Sequence, residues 1–309
     1  MASPQRRRAS LLLAIVLSCV ISFTILAAPA AGGKTGELAV FWGRNADEGS
    51  LREACDTGIY NTVIISFLAV FGHGNYGLDI SGHRPLAADI KHCQKAKNVT
   101  VLLSIGGDGD HYSIPTPKSA RDVADHLWHA YLAGGRRSVL RPFGDAVLDG
   151  VDLYIDHGGS ANYDVLVRRL AGYSNGDGGG KRRPVILTAT VKCMDGQETS
   201  GEEAVAATGL IGRIHVRFYG DRMCSYESSE RRPFYGSWLG WTARYTNTSV
   251  YVGLPAAWNA ASDGWIDPAE MVSHALPLVQ GTANYGGVML WNRYFDRRSR
   301  YGVAIKAMV

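Results

Sequence analysis

Short apolar, β-branched runs recur at Leu38–Gly43, Thr62–Phe71, Thr100–Ile105, Gly150–Asp156, Val185–Lys192, Arg213–Tyr219, Ser249–Pro255 and Gly286–Tyr294. Several are apolar almost throughout, as expected of parallel strands buried on both faces. Helical stretches fit between them, among them Ala120–Ala133, with Leu127, Tyr131 and Leu132, and Tyr163–Leu170. Eight strands alternating with helices predict a single (β/α)8 barrel; an open, doubly wound sheet is the competing arrangement. No break in composition marks a second domain, and the glycine-rich stretch Gly172–Gly180 reads as a loop between a helix and a strand.

The first thirty residues stand outside this pattern. Arg6, Arg7 and Arg8 precede an apolar run from Leu11 to Ala27, and Ala28-Pro29-Ala30 supplies small residues for cleavage, so residues 1–30 are expected to be a signal peptide. Cleavage after Ala30 leaves 279 residues, enough for one barrel over residues 31–309. The formal charge of +4 falls to about +1, because the leader holds three arginines and no acid. Nothing in that balance draws the chain to nucleic acid or an anionic membrane. The expected location is extracellular, in the apoplast.

Export changes the reading of the cysteines. Cys19 leaves with the leader, and Cys55, Cys93, Cys193 and Cys224 form an even set in an oxidising compartment, which favours two disulfides. Three pairings are open; joining sequence neighbours, Cys55 with Cys93 and Cys193 with Cys224, is the simplest. No pair has the C-x-x-C spacing of a zinc site. Asn98-Val99-Thr100 and Asn247-Thr248-Ser249 match the glycosylation pattern.

The fourth run carries the chemistry. Asp149-Gly150-Val151-Asp152-Leu153-Tyr154-Ile155-Asp156 places Asp152, Tyr154 and Asp156 on one strand face and Val151, Leu153 and Ile155 on the other. It resembles the signature Asp-Gly-x-Asp-x-Asp-x-Glu of family 18 glycoside hydrolases, the chitinases and their relatives. The third run ends in a second family mark, Ser104-Ile105-Gly106-Gly107. The likeness spans essentially the mature chain. It is greatest to plant members: class III chitinases and the chitinase-like xylanase inhibitor proteins of cereals. Phe41-Trp42-Gly43-Arg44-Asn45, Gly49–Cys55, His215-Val216-Arg217 and Gly286–Trp291 are similar to the inhibitor branch.

The resemblance implies a degenerate site. The family's terminal Glu is the general acid, and its middle Asp holds the substrate's N-acetyl group; here those positions hold Asp156 and Tyr154. Shortening the acid by one methylene withdraws it by about an ångström, a misplacement that can cost on the order of a hundredfold. Tyr154 removes a charge and adds a ring. Arg217 shares a strand face with Tyr219 and is expected to pair with Asp156 or Asp152, favouring a charged carboxylate where an acid must be protonated. No hydrolysis of chitin is expected, and no cofactor is implied. Phe41, Arg217, Tyr219 and Trp291 are the candidates for a cleft that could still hold sugar.

Other patterns carry less. Gly176–Arg182 lacks the spacing of a phosphate loop, and Gly106–Asp110 lacks the ligands of a metal loop. His157-Gly158-Gly159 reads as the turn after the fourth strand. Two surfaces follow from the inhibitor likeness. The loop Tyr173–Pro184, with Lys181, Arg182 and Arg183, is the candidate to enter a family 11 xylanase, whose paired carboxylates a basic side chain can meet. The family 10 surface, after the seventh strand, requires a lysine that Ala256–Asp263 lacks. A monomer that blocks a microbial xylanase, family 11 rather than family 10, is therefore expected; a lectin-like binder of chitin oligosaccharides and a weak chitinase are the alternatives.

Overall fold

In a computed structural model, residues 36–83, 85–159, 161–176, 184–194, 205 and 208–309 are described. Eight parallel strands close into a barrel: β1 Glu37–Trp42, β2 Thr62–Val70, β4 Thr100–Gly107, β5 Gly150–Ile155, β6 Ile186–Lys192, β7 Arg213–Arg217, β8 Ser249–Pro255 and β9 Tyr285–Trp291. Each pairs with its sequence neighbour, and β1 pairs with both β2 and β9, so no edge remains. The predicted runs match these strands to within a few residues. An antiparallel two-residue strand, β3 Gly77–Leu78, hangs on the end of β2 and was not foreseen.

The helices form the outer layer. The Ala120–Ala133 stretch lies largely within α1 Pro117–Ala130, which starts earlier because Thr116 caps it by accepting from the Ser119 amide and Pro117 opens its first turn. Tyr163–Leu170 extends to Ser174 as α2 Tyr163–Ser174. Alternation along each strand sorts the apolar side chains into two cores. Leu38, Val40, Trp42, Val151, Leu153, Val288 and Leu290 face the helices. Ala39, Phe41, Ile64, Phe67, Leu102, Tyr154 and Met289 fill the barrel interior.

The amino end of the barrel is closed by polar contacts across its axis: Arg213 donates to Glu37 at 2.7 Å and to Thr62 at 2.9 Å, and Tyr251 donates to Glu37 at 3.1 Å. The disulfides are Cys55–Cys93 and Cys193–Cys224, the sequence-neighbour pairing. They close loops of 38 and 31 residues, each worth about 4 kcal/mol in the chain-entropy account. Asn98 and Asn247 are both exposed, Asn98 in the left-handed conformation that ends its helix. Among the described residues no helix is long and apolar enough to cross a membrane. Residues 1–30, expected from the sequence to be a signal peptide and including Cys19, lie outside the described residues.

Candidate functional site

The site sits at the carboxyl ends of β4 to β7 and of β9. Its deepest part is Asp152, wholly buried, which accepts from Ser104 on β4 at 2.7 Å, Thr188 on β6 at 2.5 Å and Thr190 on β6 at 3.0 Å. Since Thr190 donates to Asp152, its oxygen is left to accept from His215 Nδ1 on β7, 3.2 Å away. One carboxylate thus ties together four neighbouring strands. Burial pushes the Asp152 carboxyl up, but His215 and the hydroxyl donors outweigh it and hold the group below the usual carboxylate range. His215 is itself wholly buried, with Nε2 lacking a hydrogen-bond partner.

One turn of the strand pleat higher, the predicted cation is in place. Arg217 donates through Nη2 to Asp156 Oδ1 and through Nη1 to Oδ2, the latter at 3.0 Å, a two-pronged pair. Nη1 also donates to the Tyr154 hydroxyl at 2.5 Å, and the guanidinium lies 4.1 Å from the Tyr154 ring centre. Burial works against the charge on Arg217, yet Tyr154 and Asp156 hold its pKa above the ordinary arginine value. Burial likewise raises Tyr154 and Tyr219, keeping both phenols neutral. The sequence puts Tyr219 on the strand, but β7 ends at Arg217 and Tyr219 lies two residues beyond it, its hydroxyl buried without a hydrogen-bond partner beside Tyr154, Arg217 and Asp156. The exposed Lys192 stands 3.8 Å from Asp156 Oδ1.

The mouth is floored by rings. Tyr154 packs against Phe67 at 5.1 Å and Phe41 at 5.9 Å between centroids; Trp291 lies over Phe41 at 5.3 Å and stacks on Phe67 at 6.2 Å. Trp291 keeps a half-buried face. Phe41 does not: it is sealed beneath the others, so it supports the floor rather than meeting a sugar. The glycines of the third strand explain themselves here. Gly106 has φ of +108°, and a Cβ on it would collide with the Tyr154 carbonyl oxygen; a Cβ on Gly107 would stand 2.8 Å from the Phe67 ring.

Asp149 falls outside the site. It precedes β5 at the amino end, where it accepts from the Val101 amide and the Gln94 side chain, both at 2.9 Å. Seven residues of extended strand separate it from Asp156, roughly 23 Å. Its task is to pin the entry of β5 to β4. Tyr112, Lys192, Thr188, Thr190 and His215 were missed by the sequence reading. The same-face rule reaches the last four, since Thr188, Thr190 and Lys192 alternate along β6 and His215 precedes Arg217 by two. Tyr112 had no such signal: from a loop it donates to Gly107 O at 2.8 Å and accepts from the Asp156 and His157 amides at 3.0 and 3.1 Å. His157 is an exposed turn residue, as read from the sequence. Lys181, Arg182 and Arg183 lie outside the described residues.

The model for glycosyl hydrolases family 18 matches residues 37–262, which include every strand up to β8 and the whole Asp152–Asp156 segment. The chain belongs to that family. It is 48% identical over 302 residues to Xylanase inhibitor protein 1 of Oryza sativa subsp. japonica, covering 97% of each chain. It is 41% identical over 281 residues to acidic endochitinase SE2 of Beta vulgaris, covering 88% of this chain and 91% of that one. Among solved structures it resembles the xylanase and alpha-amylase inhibitor protein XAIP-II of Scadoxus multiflorus, with a TM-score of 0.82 and 37% identity over 89% of this chain and 99% of that one. This family 18 chain is thus chitinase-like in fold, and similar along its length to proteins named for inhibition.

Proposed function

We propose that the protein is a secreted, monomeric inhibitor of microbial endo-xylanases that has given up chitin hydrolysis. The observation that carries the first half is the 48% identity to a xylanase inhibitor over 97% of both chains. The second half rests on the Arg217–Asp156 fork. Retaining hydrolysis with help from the substrate's acetamide needs a protonated carboxyl reaching the glycosidic oxygen and a second carboxylate behind the sugar. Here the first position is a short acid gripped by a guanidinium, and the second is a neutral phenol that packs into the aromatic floor. Neither role is filled.

The basic loop from Tyr173 to Pro184 is the surface we assign to a family 11 enzyme, through Lys181, Arg182 or Arg183. The described ends of that segment are clamped. The Val185 amide donates to Ser174 Oγ at 2.9 Å, drawing the two ends together, and Tyr173 stacks on Trp128 at 4.7 Å while donating to Asp125 at 2.6 Å. Titration of purified family 10 and family 11 xylanases tests the reading. Family 11 inhibition should weaken with added salt and fall by several orders of magnitude when the three basic residues are truncated to alanine. Absence of inhibition of either enzyme at micromolar protein overturns it. A non-hydrolytic saccharide binder is the second reading, favoured by the half-buried face of Trp291 over its aromatic floor.

A further inference from the structure

We propose that Trp258, on the loop that follows β8 at the carboxyl face of the barrel, is a stacking platform for neutral β-1,4-linked polysaccharide, a ring distinct from Trp291. The indole is 74% exposed. An aromatic surface of that size left in water forgoes a large burial gain, so its flat face is available to a ligand.

Three observations distinguish it from a stray surface ring. Its flanks are cleared: Ala256-Ala257 precede it and Ala260-Ala261-Ser262 follow within four residues, so no long side chain on the loop can cover either face. The loop is also held. The Ala256 amide donates to Trp291 O at 2.7 Å, Ser299 donates to Ala256 O at 2.6 Å, and the Ala260 amide closes a turn onto Ala257 O at 3.0 Å. Asp263 then accepts from the Gly220 amide at 2.7 Å and Ser225 at 2.6 Å, tying the loop to the one after β7. Little ordering cost is left for a ligand to meet. Finally, the loop is uncharged apart from Asp263, whose carboxylate accepts from Gly220, Ser225 and, at 3.1 Å, Ser262, while exposed Asn259, next to Trp258 in sequence, offers a polar group. A neutral pyranose, with a C–H face to stack and hydroxyls around its rim, fits this chemistry; an acidic or basic ligand has nothing there to pair with.

The function implied is retention on a polysaccharide surface, which would hold an inhibitor of wall-degrading enzymes where those enzymes act. It does not depend on the inhibitory reading. Purified full-length protein is mixed with insoluble xylan, microcrystalline cellulose or chitin, and the unbound fraction is measured; the three polymers separate plant-wall from fungal sources. The wild type should be retained on at least one polymer. Trp258→Ala should lower retention on the order of tenfold, and Trp258→Phe should keep most of it. Both variants should unfold at the wild-type urea midpoint, since the ring supports no core. Equal retention of wild type and Trp258→Ala overturns the proposal, as does no retention of the wild type. So does loss with Trp291→Ala alone, which would place binding in the mouth. If Trp258→Ala instead spares retention and weakens xylanase inhibition, the ring is a protein anchor and the proposal fails.

Discussion

Arg217 and Asp156 come from strands two apart in the barrel, β7 and the end of β5, yet they meet with both guanidinium Nη atoms on both carboxylate oxygens. The pair is largely shielded from water, with side-chain exposures of 7% and 12%. Removing one partner of such a pair strands the other. Arg217→Ala is expected to cost about 3 kcal/mol, the low end for a broken buried pair, because Lys192 is close enough to take up part of the contact. Urea unfolding with disulfides intact measures it.

Restoring the family carboxylates tests the proposed loss of chitin hydrolysis. Tyr154→Asp with Asp156→Glu should leave chitotetraose uncleaved while Arg217 still holds residue 156. Adding Arg217→Gln frees the new acid, and turnover should rise on the order of a hundredfold over the double variant. Clear cleavage by the unmodified protein would refute the assignment of an inactive site.

Asp152 gives a signed pH dependence. Its folded pKa lies below the unfolded carboxyl value of about 4, so its stabilising contribution is complete above that value and is lost as pH falls through the lower folded one. Denaturant midpoints compared at neutral pH and in acid should drop less for Asp152→Asn than for the wild type. Parallel acid limbs in the two proteins would argue against this.

Gly106 and Gly109 lie three residues apart and should behave oppositely. Gly106→Ala meets both a positive φ and the Tyr154 carbonyl, and is expected to lose at least about 2 kcal/mol. Gly109→Ala meets nothing within 4 Å and should be near neutral. Thermal midpoints of the two variants decide it.

Periodicity and alternation were enough to place the eight strands and to foresee which side chains of β5 and β7 face inward, because a strand's side chains alternate whatever surrounds it. The fork between Arg217 and a carboxylate followed from the same rule. Sequence could not choose between Asp152 and Asp156 as the partner, since that depends on the height at which neighbouring strands register. Asp149 shows the converse. The motif includes it, but seven extended residues carry it to the other end of the barrel.

The sequence by itself determined the family motif, its altered carboxylates and the strand faces on which they lie, since these follow from residue order and a two-residue period. The tertiary structure decided what each group touches. Phe41 became sealed support because Trp291, Tyr154 and Phe67 converge on it from β9, β5 and β2. Asp152 became the hub of four strands, Tyr112 the latch between β4 and β5, and Trp258 an open ring on a pinned loop. Those contacts join residues between about 25 and 250 positions apart, and only closure of the barrel, which fixes strand neighbours and register together, brings them within bonding distance.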